Sequence, residues 1–227
     1  MICASYKLKM CLISGAEMRS IMRPVNEQLA SDLLEAGKKE FLEMGFQGAS
    51  LRRIANSLGV TTGAIYRYYA DKESLFDAIV GEAAGILENN YRRAQQEYAT
   101  HPLEEQLKGL SGVSEENMWM MEFIYDHFDV FKLIACASMG TRYENYIDSL
   151  VDIEADSAML LMGKMLKAGY SLPLLDDELA HIISSGLFNC VFETVRHDMP
   201  RDKAFAYIRS YQLFYTAGWL KILGLDK

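Results

Sequence analysis

Apolar residues recur along this chain at three- and four-residue spacing. Leu29, Leu33, Leu34, Ala36, Phe41 and Leu42 mark an amphipathic helix over 27–44. Gly45 follows it and is free to take the left-handed C-cap conformation. A shorter second helix begins after Ser50, a good N-cap, and places Leu51, Ile54, Ala55 and Leu58 at i, i+3, i+4 and i+7. Gly59 ends it, Val60 fills the corner, and Thr61 is expected to cap a third helix running through Tyr69. Asp71 is expected to cap a long fourth helix from Lys72 to about Tyr98, with Leu75, Phe76, Ile79 and Ile86 on its inner face. Further helices are expected over 102–110, 115–124, a segment through Ala137 ended by Gly140, 143–166, 177–197 and 201–223. No segment sustains the alternation of a half-buried strand, so the expected fold class is all-α.

Two short helices joined by a tight glycine-containing turn form a helix-turn-helix. The turn must set one helix across the other so that an exposed face can enter a major groove about 12 Å wide. Ala55 is small where the two helices approach, and Gly59 allows a backbone angle that a side chain opposes. Ile65 and Tyr68 are expected to point inward, leaving Thr61, Thr62, Gly63, Tyr66 and Arg67 outward.

Charge changes the picture once the chain is divided. Residues 1–74 hold 10 Lys+Arg against 8 Asp+Glu, whereas residues 75–227 hold 13 against 23, giving +2 and −10 within the overall −8. An acidic body with a small basic head fits a protein that offers one end to a polyanion. Lys7 and Lys9 interrupt the apolar N-terminus and no small-residue cleavage site follows, so a cytosolic protein without a membrane span is expected. Cys3, Cys11, Cys136 and Cys190 lie far apart without a CxxC pair, so neither a zinc site nor a disulfide framework is expected, and no metal or other cofactor is expected.

The stretch GFQGASLRRIANSLGVTTGAIYRYYADKESLF, Gly45 to Phe76, resembles the DNA-binding head of the TetR/AcrR transcriptional regulators, and the likeness covers roughly residues 27–78. Gly-Phe after the first helix, Ser-Leu-Arg opening the second, Ile-Ala, Leu-Gly-Val, Ile-Tyr-x-Tyr-Tyr and Asp-Lys-Glu-x-Leu stand in register. One departure is Ala70, where the family often has a basic residue. The resemblance implies a three-helix helix-turn-helix head followed by a larger helical body that binds an effector and dimerises. The implied division is an N-terminal arm (1–24), a DNA-binding head (25–74) and the body (75–227). It also implies that Tyr66 and Lys72 meet phosphates, and that Arg52, Thr62, Gly63 and Arg67 face base edges or nearby phosphates. Ser50 would cap the second helix through its hydroxyl. Thr61 and Tyr69 complete the candidate interface, while Arg53 reads as a solvated charge.

The body carries more apolar residues than one core stripe requires. Leu187, Val191, Tyr211, Phe214, Tyr215 and Trp219 on the last two helices are the candidate homodimer interface, and the resemblance points to the same helices. A dimer also suits the task, because two recognition helices about 34 Å apart read a palindrome. Met118, Met121, Tyr125, Phe128, Tyr143, Tyr146, Met162 and Phe188 form a methionine and aromatic set able to line a pocket for an apolar small-molecule effector. Glu122, Asp126 and Asp129 share one helical face, either as a solvated stripe or toward a cationic effector. The expected function is a ligand-responsive regulator that binds a double-stranded operator as a dimer, with repression implied by the resemblance alone. Two alternatives stay open: an all-helical enzyme using those three carboxylates, and an effector-independent DNA-binding protein.

Overall fold

A computed structural model describes residues 26–110, 115–172 and 176–225, with the backbone alone for 115–117. The expected arm, residues 1–24, and with it Cys3 and Cys11, lies outside the described residues. Ten helices make up the described fold: α1 (Glu27–Gly48), α2 (Leu51–Ser57), α3 (Thr62–Ile65), α4 (Lys72–Thr100), α5 (Leu103–Gly109), α6 (Glu115–Asp126), α7 (Phe128–Ala137), α8 (Tyr146–Lys167), α9 (Asp177–Arg196) and α10 (Arg201–Ile222).

The N-caps explain where the longer helices begin. Asn26 accepts the Leu29 amide at 3.3 Å to start α1. At α4, Asp71 accepts the Ser74 amide at 2.7 Å, while the Ser74 hydroxyl accepts the Asp71 amide at 3.0 Å. This reciprocal box satisfies two otherwise orphaned N–H groups. Asp176 does half of the same at α9, accepting the Leu179 amide at 3.0 Å.

Three expectations need correction. Gly45 has φ 66° and ψ 165°, so its φ is positive but its ψ is extended. The helix therefore kinks there and resumes to Gly48 instead of ending in a left-handed cap. The third helix is regular only over Thr62–Ile65, after which Tyr66 to Tyr69 continue as turns bonded back to Thr62, Ala64 and Ile65. Ile86, expected inside, is 40% exposed; Val80, Ala83, Ala84 and Leu87 form the buried stripe of α4 with Leu75, Phe76 and Tyr91.

Packing starts from an aromatic triangle. Phe41 and Phe46 of α1 meet Phe76 of α4 at ring-centroid distances of 5.1 and 5.5 Å, both edge-on. Phe41 and Phe76 are fully buried, each contributing about 2 kcal/mol of transfer free energy. One continuous apolar cluster runs from Leu33 through Leu133 and Leu150 to Ile208, so α4 joins head to body without a break in the core. A second, smaller cluster gathers Leu161, Met162, Met165, Trp219 and Leu223 at the far end. Among the described residues no helix is long and apolar enough to cross a membrane.

Candidate nucleic-acid interface and body cavity

The turn between α2 and α3 is built as its sequence requires. Gly59 has φ +67°, a conformation that other residues adopt only with strain. Its amide and that of Val60 close the corner on Asn56 and Ala55 carbonyls at 3.1 and 3.0 Å. Ile54, Ala55 and Ile65 are buried, which anchors both short helices in the core cluster that includes the aromatic triangle. What remains outward is the expected set: Gly63, Tyr66 and Arg67 are exposed, Tyr66 by 56%, Thr61 is exposed and Thr62 half-buried. Arg52 at the start of α2 is exposed beside them in sequence. Tyr68 turns inward, and its hydroxyl accepts the Asn26 amide at 3.2 Å, tying the end of the motif to the start of α1. Tyr69 is half-buried against Tyr68, with ring centroids 6.4 Å apart, and burial pushes its phenol upward in pKa.

Other residues of this region hold the shape itself. Ser50 occupies the N-cap position of α2, but its side chain makes no capping bond. Its amide instead donates to Glu40 at 2.9 Å. Thr61 likewise stands at the N-cap of α3 without a side-chain cap. Arg53 is not merely solvated: it pairs with Glu40 at 2.6 Å and donates to the Gly48 carbonyl at 2.5 Å, stapling α2 to α1. Burial raises the Glu40 pKa, but the Arg53 and Ser50 hydrogen bonds outweigh it and leave that carboxyl below its usual value. Lys72 points its ammonium back at α1, donating to the carbonyls of Phe46 (2.6 Å), Ala49 (3.1 Å) and Gln47 (3.3 Å). It also sits 4.5 Å from the Phe46 ring centre. A helix C-terminus carries unsatisfied carbonyls and a negative dipole, so a cation placed there satisfies both.

The body holds its cavity away from the expected residues. A cavity of about 150 Å³ is lined by Gln95 and Tyr98 of α4, Gly109 and Leu110, Glu154, Ser157, Ala158, Leu161 and Met162 of α8, and Tyr215, Thr216, Trp219 and Leu223. Of the residues expected to line a pocket, Met162 alone does so here. Met121 and Phe188 are fully buried in the core, and Met118 is half-buried. Tyr125 donates to the Met199 carbonyl at 3.0 Å with Phe128 packed on it at 5.3 Å. Tyr146 donates to the Ala84 carbonyl at 2.8 Å, and Tyr143 donates to Asp77, both facing a separate surface groove. Methionine and aromatic content marks core and cavity alike, so composition could not separate them. The residue that gives the cavity its charge is Glu154, which stands between Asp152 and Asp156 on α8 and so carries no local signal that sets it apart from a surface carboxylate.

Glu122, Asp126 and Asp129 do not converge on a pocket. Glu122 is exposed, Asp126 accepts Arg201 at 2.6 Å, and Asp129 lies 3.8 Å from Lys38. The expected dimer residues also divide. Leu187, Val191 and Trp219 are buried within the protomer, Tyr211 and Tyr215 are half-buried, and Phe214 is 71% exposed. The outward apolar face instead carries Leu179 and Ile182 on α9 with Tyr207, Leu213 and Phe214 on α10.

Comparison with known proteins agrees with this head. Residues 33–79 match the family model described as bacterial regulatory proteins, tetR family. The HTH-type transcriptional repressor AcnR of Corynebacterium diphtheriae is 33% identical over 76 residues, 31% of this chain and 40% of that protein. BepR of Brucella suis, also an HTH-type transcriptional repressor, is 43% identical over 51 residues, 22% of this chain and 24% of its own. The chain thus spans less than half the length of these relatives. Two solved structures share the fold over most of the chain. One is the fatty acid degradation regulator FadR of Bacillus halodurans (TM-score 0.53, 20% identity, 83% of this chain and 98% of that one). The other is FadR of Bacillus subtilis in complex with stearoyl-CoA (TM-score 0.53, 17% identity, 83% and 98%). The head at residues 33–79 thus matches the tetR family of bacterial regulatory proteins.

Proposed function

We propose that this chain is a transcriptional repressor that binds a palindromic operator as a homodimer and is released by a small molecule entering the body. The observation that carries this is the outward face of Gly63, Tyr66 and Arg67, anchored from behind by Ile54, Ala55 and Ile65. Arg67 and Arg52 supply donors suited to guanine O6 and N7 or to phosphate, and Tyr66 a phosphate hydroxyl contact. The relatives named as repressors support the direction of control. The division into a head over 25–74 and a body over 75–227 belongs to this reading, with α4 running across the boundary.

Dimerisation is assigned to the exposed stripe of Leu179, Ile182, Tyr207, Leu213 and Phe214. An apolar surface of that kind is characteristic of an interface. The effector site is assigned to the cavity at Glu154, and the stearoyl-CoA complex of the Bacillus subtilis neighbour supports a ligand-binding body. Because α4 carries both Lys72 and Gln95, the cavity and the head lie on one rod, about 35 Å apart at 1.5 Å per residue. A ligand that favours a different setting of α4 therefore shifts the spacing of the two heads.

The test is selection of bound fragments from a random DNA pool, followed by sedimentation. The expected result is a two-fold symmetric site bound by a dimer, with Phe214→Asp giving a monomer of greatly reduced operator affinity. Selection of no sequence above background overturns the reading.

A further inference from the structure

Glu154 is an unusual group to find at the wall of a small apolar cavity. Its carboxylate accepts hydrogen bonds from the Tyr91 hydroxyl (2.5 Å) and from Gln95 Nε2 (3.0 Å), both on α4. The Tyr215 hydroxyl of α10 faces it as well, buried and without a partner in hydrogen-bonding geometry. All of these groups are neutral. Burial accordingly pushes the Glu154 carboxyl upward in pKa, against the lowering effect of the two tyrosines. The nearest arrangement in the head is the reverse, where Glu40 has Arg53 as its countercharge.

The walls around Glu154 are chosen from a narrow chemical range. Tyr98, Tyr215 and Trp219 present aromatic surface, and Leu161 and Met162 present aliphatic surface. Aromatic faces attract a cation, the more so when desolvated, and a carboxylate adds full charge. A ligand anion would meet Glu154 at close range and be repelled by it. A purely apolar ligand would desolvate the carboxylate further and offer it no charge in return. A cavity of about 150 Å³ limits the enclosed part of a ligand to a group about the size of a benzene ring or a trimethylammonium head.

We propose that the cavity binds a small organic monocation, with its positive end on Glu154 and its apolar body against Trp219 and Leu161. This rests on the effector reading above and names the ligand class of that site. The cation competes with Tyr91 and Gln95 for the same carboxylate. Both are on α4, so binding loosens the tie between α8 and the helix that carries the head. The bond from the Ser157 hydroxyl to Gln95 Oε1 at 2.7 Å is then the contact that remains between the two helices at this point.

The experiment is calorimetric titration of the full chain with two probes of matched shape, benzyltrimethylammonium and its uncharged isostere neopentylbenzene, and with stearoyl-CoA as the anionic comparison. Benzyltrimethylammonium is expected to bind at least ten-fold more tightly than neopentylbenzene. Glu154→Gln is expected to erase that ten-fold preference while leaving neopentylbenzene affinity unchanged. The isostere comparison uses the unaltered chain and so does not depend on the variant folding. Equal affinity for the two probes overturns the proposal, as does an unchanged preference in folded Glu154→Gln, a tightest affinity for stearoyl-CoA, or no binding of benzyltrimethylammonium at millimolar concentration. A parallel measurement follows operator release. Glu154-dependent binding that leaves DNA bound keeps the cation site and removes the effector reading, whereas release by stearoyl-CoA alone keeps the effector reading and removes the cation.

Discussion

The two ends of α4 lie in opposite chemical settings. At the head end, polar groups are paired several times over: Lys72 with three carbonyls, Glu40 with Arg53 and the Ser50 amide, Asp71 with Ser74. At the body end, among the described residues, the buried side-chain atoms left without partners are Ser184 Oγ, both amide atoms of Gln212 and the Tyr215 hydroxyl, all on α9 and α10. Each unpaired buried group costs on the order of 1–3 kcal/mol. The head is thus a shape fixed from many directions, carrying its chemistry on an outward face. The body keeps polar capacity unspent around its cavity and its last two helices, where a ligand or a second chain can use it.

The largest effect expected from this contrast comes from the head's own clamp. Lys72→Met leaves the carbonyls of Phe46, Gln47 and Ala49 without their shared donor and should cost about 2–3 kcal/mol, read as a lower urea midpoint. The same variant decides whether Lys72 also meets a phosphate. If it does, the slope of log affinity against log salt becomes shallower by about one; if it acts only as a clamp, affinity falls with the slope unchanged.

Next come the outward residues, where the prediction is the reverse. Tyr66→Ala and Arg67→Ala remove exposed side chains that support nothing in the core. Operator affinity should drop by about 1–2 kcal/mol for each, measured by fluorescence anisotropy, with stability changed by about 0.5 kcal/mol or less. Arg52→Ala should relax preference at one base position per half-site, and a variant that selects the parent sequence unchanged removes Arg52 from base reading.

How much of this was legible in the sequence follows the same division. In the head, each structural role has a local signature. Gly59 reports a positive φ, Asp71 with Ser74 reports a cap, and the spacing of Ile54, Ala55 and Ile65 reports a buried seam. What escaped there were long-range pairings: Arg53 reads as a surface charge until α1 brings Glu40 beside it, and Lys72 reads as a phosphate contact until the kink at Gly45 presents three carbonyls to it. In the body, helix positions were readable but helix faces were not. Leu187 and Val191 have the composition of an interface and the position of a core, while Phe214 and Ile182 have the reverse. With six long or medium helices, which apolar stripe faces which neighbour is decided by tertiary packing and leaves no mark in periodicity. The same limit sent the pocket expectation to Met121 and Phe188, which are core, instead of to Glu154.

A smaller effect tests whether fixed head and adjustable body communicate through one contact. The segment between α7 and α8 reaches back to the first turns of α4. Arg142 pairs with Asp77, Tyr143 donates to Asp77, and the Arg142 amide donates to Glu73 at 3.2 Å. These groups are partly exposed, so the latch contributes little to stability. Asp77→Asn should leave operator affinity near its parent value without ligand. It should weaken ligand-driven release by about 1 kcal/mol of coupling, a roughly five-fold change. Operator affinity measured with and without benzyltrimethylammonium gives that coupling directly, and an unchanged ratio shows that the signal does not pass through Asp77.

The finest test sets two carboxylates against each other, because head and body shift them in opposite directions. Glu40 lies below its usual value of 4.5: burial works against this, but the hydrogen bonds from Arg53 and Ser50 prevail. The unfolded chain therefore binds this proton more readily than the folded one, and the contribution is complete above about pH 4.5 and lost as pH falls through the folded value. Glu154 lies above 4.5 because burial outweighs its tyrosine partners, so the folded chain holds that proton longer. Its contribution is complete below pH 4.5 and declines as pH rises through the folded value, levelling off beyond it. Thermal melts from pH 4 to pH 8 should separate the two. Glu40→Gln should lower Tm at neutral pH by about 2–4 °C per kcal/mol lost, with the deficit shrinking toward acid. Glu154→Gln should raise Tm at neutral pH by a similar or smaller amount, with the gain vanishing near pH 4. Parallel melting profiles for Glu154→Gln and the parent across this range would show that the body carries no stored electrostatic cost at its cavity, and the contrast between the two ends of α4 would then rest on unpaired hydroxyls and amides alone.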